Sequence, residues 1–154
     1  LSFAWGGVIQ MLADAAGAEL QEIKEIHECA PAPWDFEMAL GKIEKGSRAA
    51  MRFELQGIID GRPAIIIEHV SRLHQDICPE WPQGEGGNGY RIEIEGSPKI
   101  HLDMHLEGAD GDHNTGGLLA SAMRVLHAIP QVIEAEPGLI STLDLVRVNG
   151  KHVF

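Results

Sequence analysis

Met51-Arg52-Phe53-Glu54-Leu55-Gln56, then Asp60-Gly61, then Ala64-Ile65-Ile66-Ile67-Glu68-His69-Val70 are the segments that decide the fold class. In the first run, Met51, Phe53 and Leu55 alternate with Arg52, Glu54 and Gln56, the period of a half-buried strand. Asp-Gly is a two-residue hairpin signal, because both central positions of the favoured turn need positive φ. The third run is a strand that is apolar on both faces. If Asp60 and Gly61 are the whole turn, Leu55 faces Ile66, Phe53 faces Glu68, Arg52 faces His69 and Met51 faces Val70. Glu68 then lies beside Phe53 on the apolar face, where a carboxylate needs a partner or takes a raised pKa. The functional reading is a pocket carboxylate that contacts an ammonium or imine. The structural reading is an ion pair with Arg72 or Lys42, or a register slip that turns Glu68 outward.

Outward from this hairpin the pattern continues in both directions. Beyond a Pro/Gly-rich excursion at residues 79–89, Tyr90, Ile92 and Ile94 alternate with Arg91, Glu93 and Glu95. Gly96-Ser97-Pro98 turns the chain, and Ile100, Leu102, Met104 and Leu106 alternate with His101, Asp103 and His105. Four strands in succession predict an antiparallel meander with one apolar face. Toward the start, residues 2–16 read as a helix, with Ser2 as cap, Val8, Ile9, Met11, Leu12 and Ala15 as its stripe, and Gly17 as its stop. Residues 20–29 fit a charged helix or a strand, and Ala30-Pro31-Ala32-Pro33-Trp34 is loop chemistry. Toward the end, a polar Gly-rich loop at 108–117 opens a helix striped by Leu118, Leu119, Ala122, Val125, Leu126 and Ile129. Pro130 ends or kinks that helix. The order helix, sheet, helix predicts an α+β fold: an open antiparallel or mixed sheet of about four to six strands, with helices on one face and the other face free for oligomerisation. Ile65 and Ile67 are expected on that free face, as a strip that meets a second copy.

Composition bounds the function. The chain has 154 residues, which is one domain, 1–154, and 44% of them are apolar. Mean hydropathy is -0.06, and no run approaches the roughly 20 consecutive apolar residues of a membrane span. No charged n-region with an apolar h-region opens the chain. Twelve basic against 23 acidic residues give a net charge of -11, which disfavours nucleic acid and anionic membranes and tolerates a cationic substrate such as an amine. Cys29 and Cys78 sit in no metal or redox spacing and read as reduced thiols of a cytoplasmic protein. A start at Leu1 without an initiator Met reads as a piece of a longer chain.

Among motifs of chemistry, several are missing from the sequence. No G-x-G-x-x-G follows a strand and opens a helix, and Gly84-Glu85-Gly86-Gly87-Asn88-Gly89 lacks the helix it would need. There is no P-loop, G-x-S-x-G or H-E-x-x-H. His101-x-Asp103-x-His105 places three donors on one strand face, but alternate residues lie about 6–7 Å apart, so three cannot reach one ion without a bend. With Arg91, Glu93 and Glu95 beside them, the reading is a charged surface and no metal. The loop Asp110-Gly111-Asp112-His113-Asn114-Thr115-Gly116-Gly117 is the most site-like segment. Asn114 or Thr115 can cap the helix, and free N–H groups at its start attract an electronegative ligand group. A hydrophilic capped loop is the plain alternative.

Several strings resemble one family: Trp5-Gly6-Gly7-Val8-Ile9-Gln10-Met11-Leu12-Ala13-Asp14, Arg52-Phe53-Glu54-Leu55-Gln56-Gly57, Glu68-His69-Val70-Ser71-Arg72-Leu73, and above all Gly111-Asp112-His113-Asn114-Thr115-Gly116-Gly117-Leu118-Leu119-Ala120, with Ala128-Ile129-Pro130 and Pro137-Gly138-Leu139. They resemble the C-terminal domain of dihydrodipicolinate-reductase-like enzymes, relatives of 2,4-diaminopentanoate dehydrogenase and native amine dehydrogenases. The resemblance implies an NAD(P)-dependent oxidoreductase acting on an amine, imine or carbonyl. It implies an N-terminal Rossmann domain that holds NADP or NAD, with this chain as substrate-binding and dimerisation domain, inactive and cofactor-free alone. It also implies homodimers built through the C-terminal sheet. The K-x-D-x-x-S-G-T motif of dihydrodipicolinate reductases does not occur here. Glu68, His69, Asn114 and Thr115 are the expected substrate-binding residues. The catalytic residue is expected in the Rossmann domain, outside this chain. The alternative function is a free-standing binding or assembly module.

Overall fold

The Asp60-Gly61 turn forms as its sequence requires, with φ of 51° and 71°. It joins β4 (Arg48–Ile59) to β5 (Arg62–Arg72) as an antiparallel pair. These elements belong to a computed structural model that describes residues 2–84, 87–141 and 144–145, with side chains from Trp5 onward. The chain divides into two units, residues 1–83 and 84–154, each considered by itself.

In the first unit, β1 (Glu22–Pro31) pairs antiparallel with β4, so the sheet order is β1-β4-β5. The ambiguous stretch at 20–29 is therefore a strand, and it runs on through Ala30 and Pro31. Proline is tolerated there because β1 is an edge strand. A small hairpin of β2 (Phe36–Met38) and β3 (Gly41–Ile43) follows. Helix α1 (Ser2–Ala16) lies mainly on β4 and also touches β5 and β1. Gly17 ends it at φ 66°, as expected. The proposed cap, the side chain of Ser2, lies outside the described residues.

The expected hairpin register is wrong by one residue. Ile59 opposes Arg62 and Ile58 opposes Pro63, but the ladder then shifts and Gly57 opposes Ile65. Pro63 has no N–H with which to continue a regular ladder, and Ala64 is the extra residue that the irregularity absorbs. Beyond it Leu55 opposes Ile67, Glu54 opposes Glu68, Phe53 opposes His69 and Arg52 opposes Val70. Because directly opposed residues share a face, every side chain of β5 past Ala64 changes sides relative to expectation. Ile65 and Ile67 consequently lie on the α1 face with Gly57 and Leu55, and are no strip on the free face.

The core has two parts. Under α1, Ile9, Ala13, Phe53 and Leu55 are buried. Gly57 permits that approach: a Cβ on it would stand 2.6 Å from Ile9 Cγ2. At the other end of the sheet, Ala32, Ala49, Ala50 and Ile77 form a cluster, flanked by Phe36, Ile43, Cys78 and Trp81.

The second unit contains an antiparallel ribbon of β6 (Tyr90–Ile94) and β7 (Ile100–Met104), and helix α2 (His113–Glu134). The expected single meander is thus divided: among the described residues the strands form ladders of three, two and two, all antiparallel. The long link between β5 and β6 carries no hairpin turn to fix their register. The α+β class holds. Pro130 does not end α2, which continues to Glu134. By length and apolar content alone α2 could cross a membrane, although Arg124, His127 and Gln131 interrupt it.

Candidate functional site

The register shift decides what His69 and Glu68 can do. His69 lies on the α1 face, where its ring stacks on Phe53 at 5.0 Å between centroids and 27° between planes. Trp5, from the first turn of α1, meets Phe53 edge-on at 5.5 Å and His69 at 5.9 Å. On the other side of Phe53, β1 places His27 directly opposite. Phe53 is buried while Trp5 and His69 are half-exposed, so the aromatic wall carries a reachable imidazole, with the exposed His27 beside it on the same face. Such a wall can pack an apolar substrate group and offer it one hydrogen bond. Sequence reasoning missed Trp5 and Phe53 as neighbours of His69. The signal was present in Trp5 heading an amphipathic helix, but the wrong register hid the contact.

Glu68 faces the opposite side of the sheet and takes no part in that wall. Its Oε1 accepts from Arg52 Nε at 2.5 Å. Arg52 Nη1 donates to Glu28 Oε1 at 3.0 Å, and its Nη2 donates to Glu54. One guanidinium therefore ties a carboxylate from each of three strands. The bond to Glu68, followed by its charge and those of Glu54 and Glu28, raises the Arg52 pKa above its ordinary value, against the opposing effect of burial. Of the alternatives for Glu68, the register slip that turns it outward is the one that holds, and its ion pair is with Arg52, not with Arg72 or Lys42. Arg72 donates instead to Gln83 and the carbonyls of Trp81 and Pro82, and Lys42 pairs with Asp35 at 2.6 Å.

In the second unit, the residue that caps α2 is Asp112, not Asn114 or Thr115. Its carboxylate accepts from the Thr115 backbone N–H at 2.7 Å and from the Thr115 hydroxyl at 2.9 Å. The backbone bond, then the hydroxyl bond, hold the Asp112 pKa below the usual carboxylate value. Asp110 accepts from the Asp112 N–H at 3.1 Å, and Gly111 turns the loop at φ 77°. Thr115 thus spends its proton on Asp112, and toward a ligand its hydroxyl oxygen is an acceptor. Gly116 is required by contact: a Cβ there would stand 2.5 Å from the Glu107 nitrogen. Asn114 and Thr115 begin α2 next to His113, whose ring lies 5.8 Å from Tyr90.

On β7, His101 and Asp103 form a paired surface, and His105 lies just beyond the strand. Arg91 Nε donates to Asp103 Oδ1 at 2.7 Å, and His101 sits between Asp103 Oδ2 at 2.8 Å and Glu93 Oε1 at 3.2 Å. Among the described residues no group of three His, Cys, Asp or Glu side chains converges on a metal position. Both cysteines are free, and burial pushes the Cys78 thiol pKa up. Residues 87–89 lead into β6, and every described ladder is antiparallel. The described residues therefore do not fit a dinucleotide cradle, which needs a glycine-rich turn between a parallel strand and a helix.

An α+β domain with an aromatic wall on one sheet face and a capped loop heading a long helix is the class defined by this geometry. The fold is that of a solved amine dehydrogenase from Mycobacterium smegmatis, matched with a TM-score of 0.65 at 20% identity over 94% of this chain and 38% of that one. The chain belongs to the family of 2,4-diaminopentanoate dehydrogenase C-terminal domains, which it matches over residues 4–150. An amine dehydrogenase from Streptomyces virginiae is 38% identical over 147 residues, which are 94% of this chain. The chain spans 41% of the length of that relative. It is an oxidoreductase-family domain.

Proposed function

We propose that this chain is the substrate-side domain of an NAD(P)-dependent dehydrogenase that interconverts an amine with the corresponding imine or carbonyl compound. The observation that carries this reading is the family match over residues 4–150, taken with the half-exposed His69 in its Trp5–Phe53 wall. In this reading a Rossmann segment outside the chain binds NADP or NAD and supplies the catalytic residue. The chain's own part is to bind and orient. Trp5, backed by the buried Phe53, packs the substrate's apolar group, and His69 hydrogen-bonds its polar end; Asn114 and Thr115, at the start of α2 in the other unit, are further substrate-binding residues. Glu68 acts through Arg52 to hold the sheet that carries His69, a positioning role and no longer a pocket charge. The isolated chain neither binds the nucleotide nor turns over. The enzyme works as a homodimer in the cytoplasm, a compartment that suits the free thiols of Cys29 and Cys78.

The test is kinetic, in the full-length enzyme. His69→Ala should lower kcat/KM for the organic substrate about tenfold or more, the scale of a lost hydrogen bond to a bound group, with nucleotide affinity unchanged. Asn114→Ala should raise KM for the same substrate. Wild-type kinetics in both variants, across amines and carbonyl compounds, would remove this wall and loop from the substrate site.

A further inference from the structure

A second set of rings, sharing no member with the Trp5 wall, gathers beside the core cluster of the first unit. Trp34 comes from the loop before β2, Phe36 opens β2, and His74 follows the end of β5 by two residues. Ring centroids are 5.5 Å apart for Trp34 and His74, 5.7 Å for Phe36 and His74, and 6.4 Å for Trp34 and Phe36. The planes of these pairs cross at 83°, 62° and 55°, so no two of the rings stack face to face. Phe36 is anchored against the core cluster, whereas Trp34 is 39% exposed. An indole left that open gains only part of the burial that core packing would give it.

We propose that the corner made by Trp34, Phe36 and His74 is a binding site for a small alkylammonium ion, with preference for a quaternary one. The site goes beyond the substrate wall and does not depend on the reaction assigned to that wall. An ion seated over the triangle of the three centroids would stand about 5 Å from each, inside the roughly 6 Å reach of a cation–π contact. The imidazole is no rival charge. The Asp76 backbone N–H donates to His74 Nδ1 at 3.3 Å, which that nitrogen accepts only without a proton. The Asp76 carboxylate stands 3.7 Å from the same nitrogen with its side chain 66% exposed, so an anion lies at the rim. The cation of the β2–β3 ribbon is engaged elsewhere. Lys42 opposes Glu37, on the other face of the ribbon from Phe36 and Ile43, and is held by Asp35 at 2.6 Å. The net charge of -11 draws cations toward the surface as a whole. Rings decide between kinds of ammonium. They present no lone-pair acceptor, so methyl groups on the nitrogen lose nothing here, whereas each N–H of a primary ammonium would give up a water.

Tetramethylammonium chloride is the probe, titrated at millimolar concentration into full-length protein labelled with 15N-tryptophan. It should shift, saturably, the indole N–H resonance that Trp34→Leu removes. Potassium chloride at equal concentration should not, and neither should tert-butanol, which has nearly the same shape without the charge. Methylammonium should bind more weakly than tetramethylammonium. His74→Leu, read at the Trp34 indole, should weaken tetramethylammonium binding about fivefold or more, the scale of one lost cation–π contact. His69→Ala should leave it unchanged. Should His74→Leu fail to fold, the comparison of the probes on the wild-type protein still decides the question. No saturable shift would make the three rings a lid on the core and nothing more. An equal shift with tert-butanol would make the corner a merely apolar recess. A shift lost in His69→Ala would assign the ion to the substrate wall. Each of these three results would overturn the site, and none of them bears on the dehydrogenase reading.

Discussion

Adding a single methyl group at Gly57 tests how α1 meets the sheet. A Cβ there would lie 2.6 Å from Ile9 Cγ2, 3.1 Å from Leu20 Cδ1 and 3.4 Å from Ile65 Cβ. Ile9 is 0% exposed and Gly57 is buried in the central strand, so neither side has free volume to give. Overpacking of this kind costs about 1–3 kcal/mol. Alanine returns about 0.5–1 kcal/mol over glycine in a strand interior. The net expectation for Gly57→Ala is a loss of about 1–2 kcal/mol, which lowers Tm by roughly 2–8 °C for a protein of this size. Ile9→Ala alone should cost about 2–5 kcal/mol through the cavity it leaves. In the double variant the new methyl occupies part of that cavity, so the combined loss should fall short of the sum by more than about 0.5 kcal/mol. Urea titration followed by circular dichroism measures all four corners of the cycle. Strict additivity, or a Gly57→Ala protein as stable as wild type, would refute the packing of α1 over Gly57.

Other perturbations probe the charged groups. Arg52→Met removes the cation from Glu28, Glu54 and Glu68 and should cost about 1–2 kcal/mol by denaturant titration, less than a fully buried pair because the cluster is partly solvated. The Asp112 pKa is depressed in the fold, so its contribution is present above the unfolded carboxylate value of about 4 and disappears as pH falls through the lower folded value. Asp112→Ala should therefore melt below wild type at pH 7, and the two melting curves should converge in strong acid; a constant gap across that range would deny the cap its charge. Thr115→Ser should keep the melting temperature nearer wild type than Thr115→Val, because the serine hydroxyl still donates to Asp112.

Much of the architecture is legible in the residues. The strand alternation around Phe53, the positive-φ demand of Asp60-Gly61 and the Gly17 stop are local signals, and local physics decides them. What failed was parity. One proline at position 63 breaks the ladder, and a one-residue shift exchanges faces for all that follows, so Glu68 and His69 traded places. Residues 64–67 are apolar in either register and give no warning; only Glu68, awkward on the apolar face, admitted a slip. The break in the meander was hidden for a related reason. Strand periodicity at Tyr90 and Ile100 identifies strands, but pairing partners depend on the turns that join them, and the described residues of the link after β5 form no two-residue hairpin. The cap of α2 was missed by one turn of choice. Asp112, Asn114 and Thr115 can all cap, and only the observed helix start at His113 selects Asp112.

The Arg52 cluster makes substitutions unequal in their consequences. Each of Glu28, Glu54 and Glu68 is one acceptor among three, so replacing any one by glutamine leaves the guanidinium satisfied and relieves crowding among negative charges. Replacing the arginine leaves all three carboxylates without a cation, with only the Gln56 amide donating to Glu54. Sequence drift at this joint is therefore expected to be lopsided. The glutamates form a redundant set that can be thinned one at a time, whereas position 52 has no substitute, since lysine offers a point charge and cannot reach three strands with separate nitrogens.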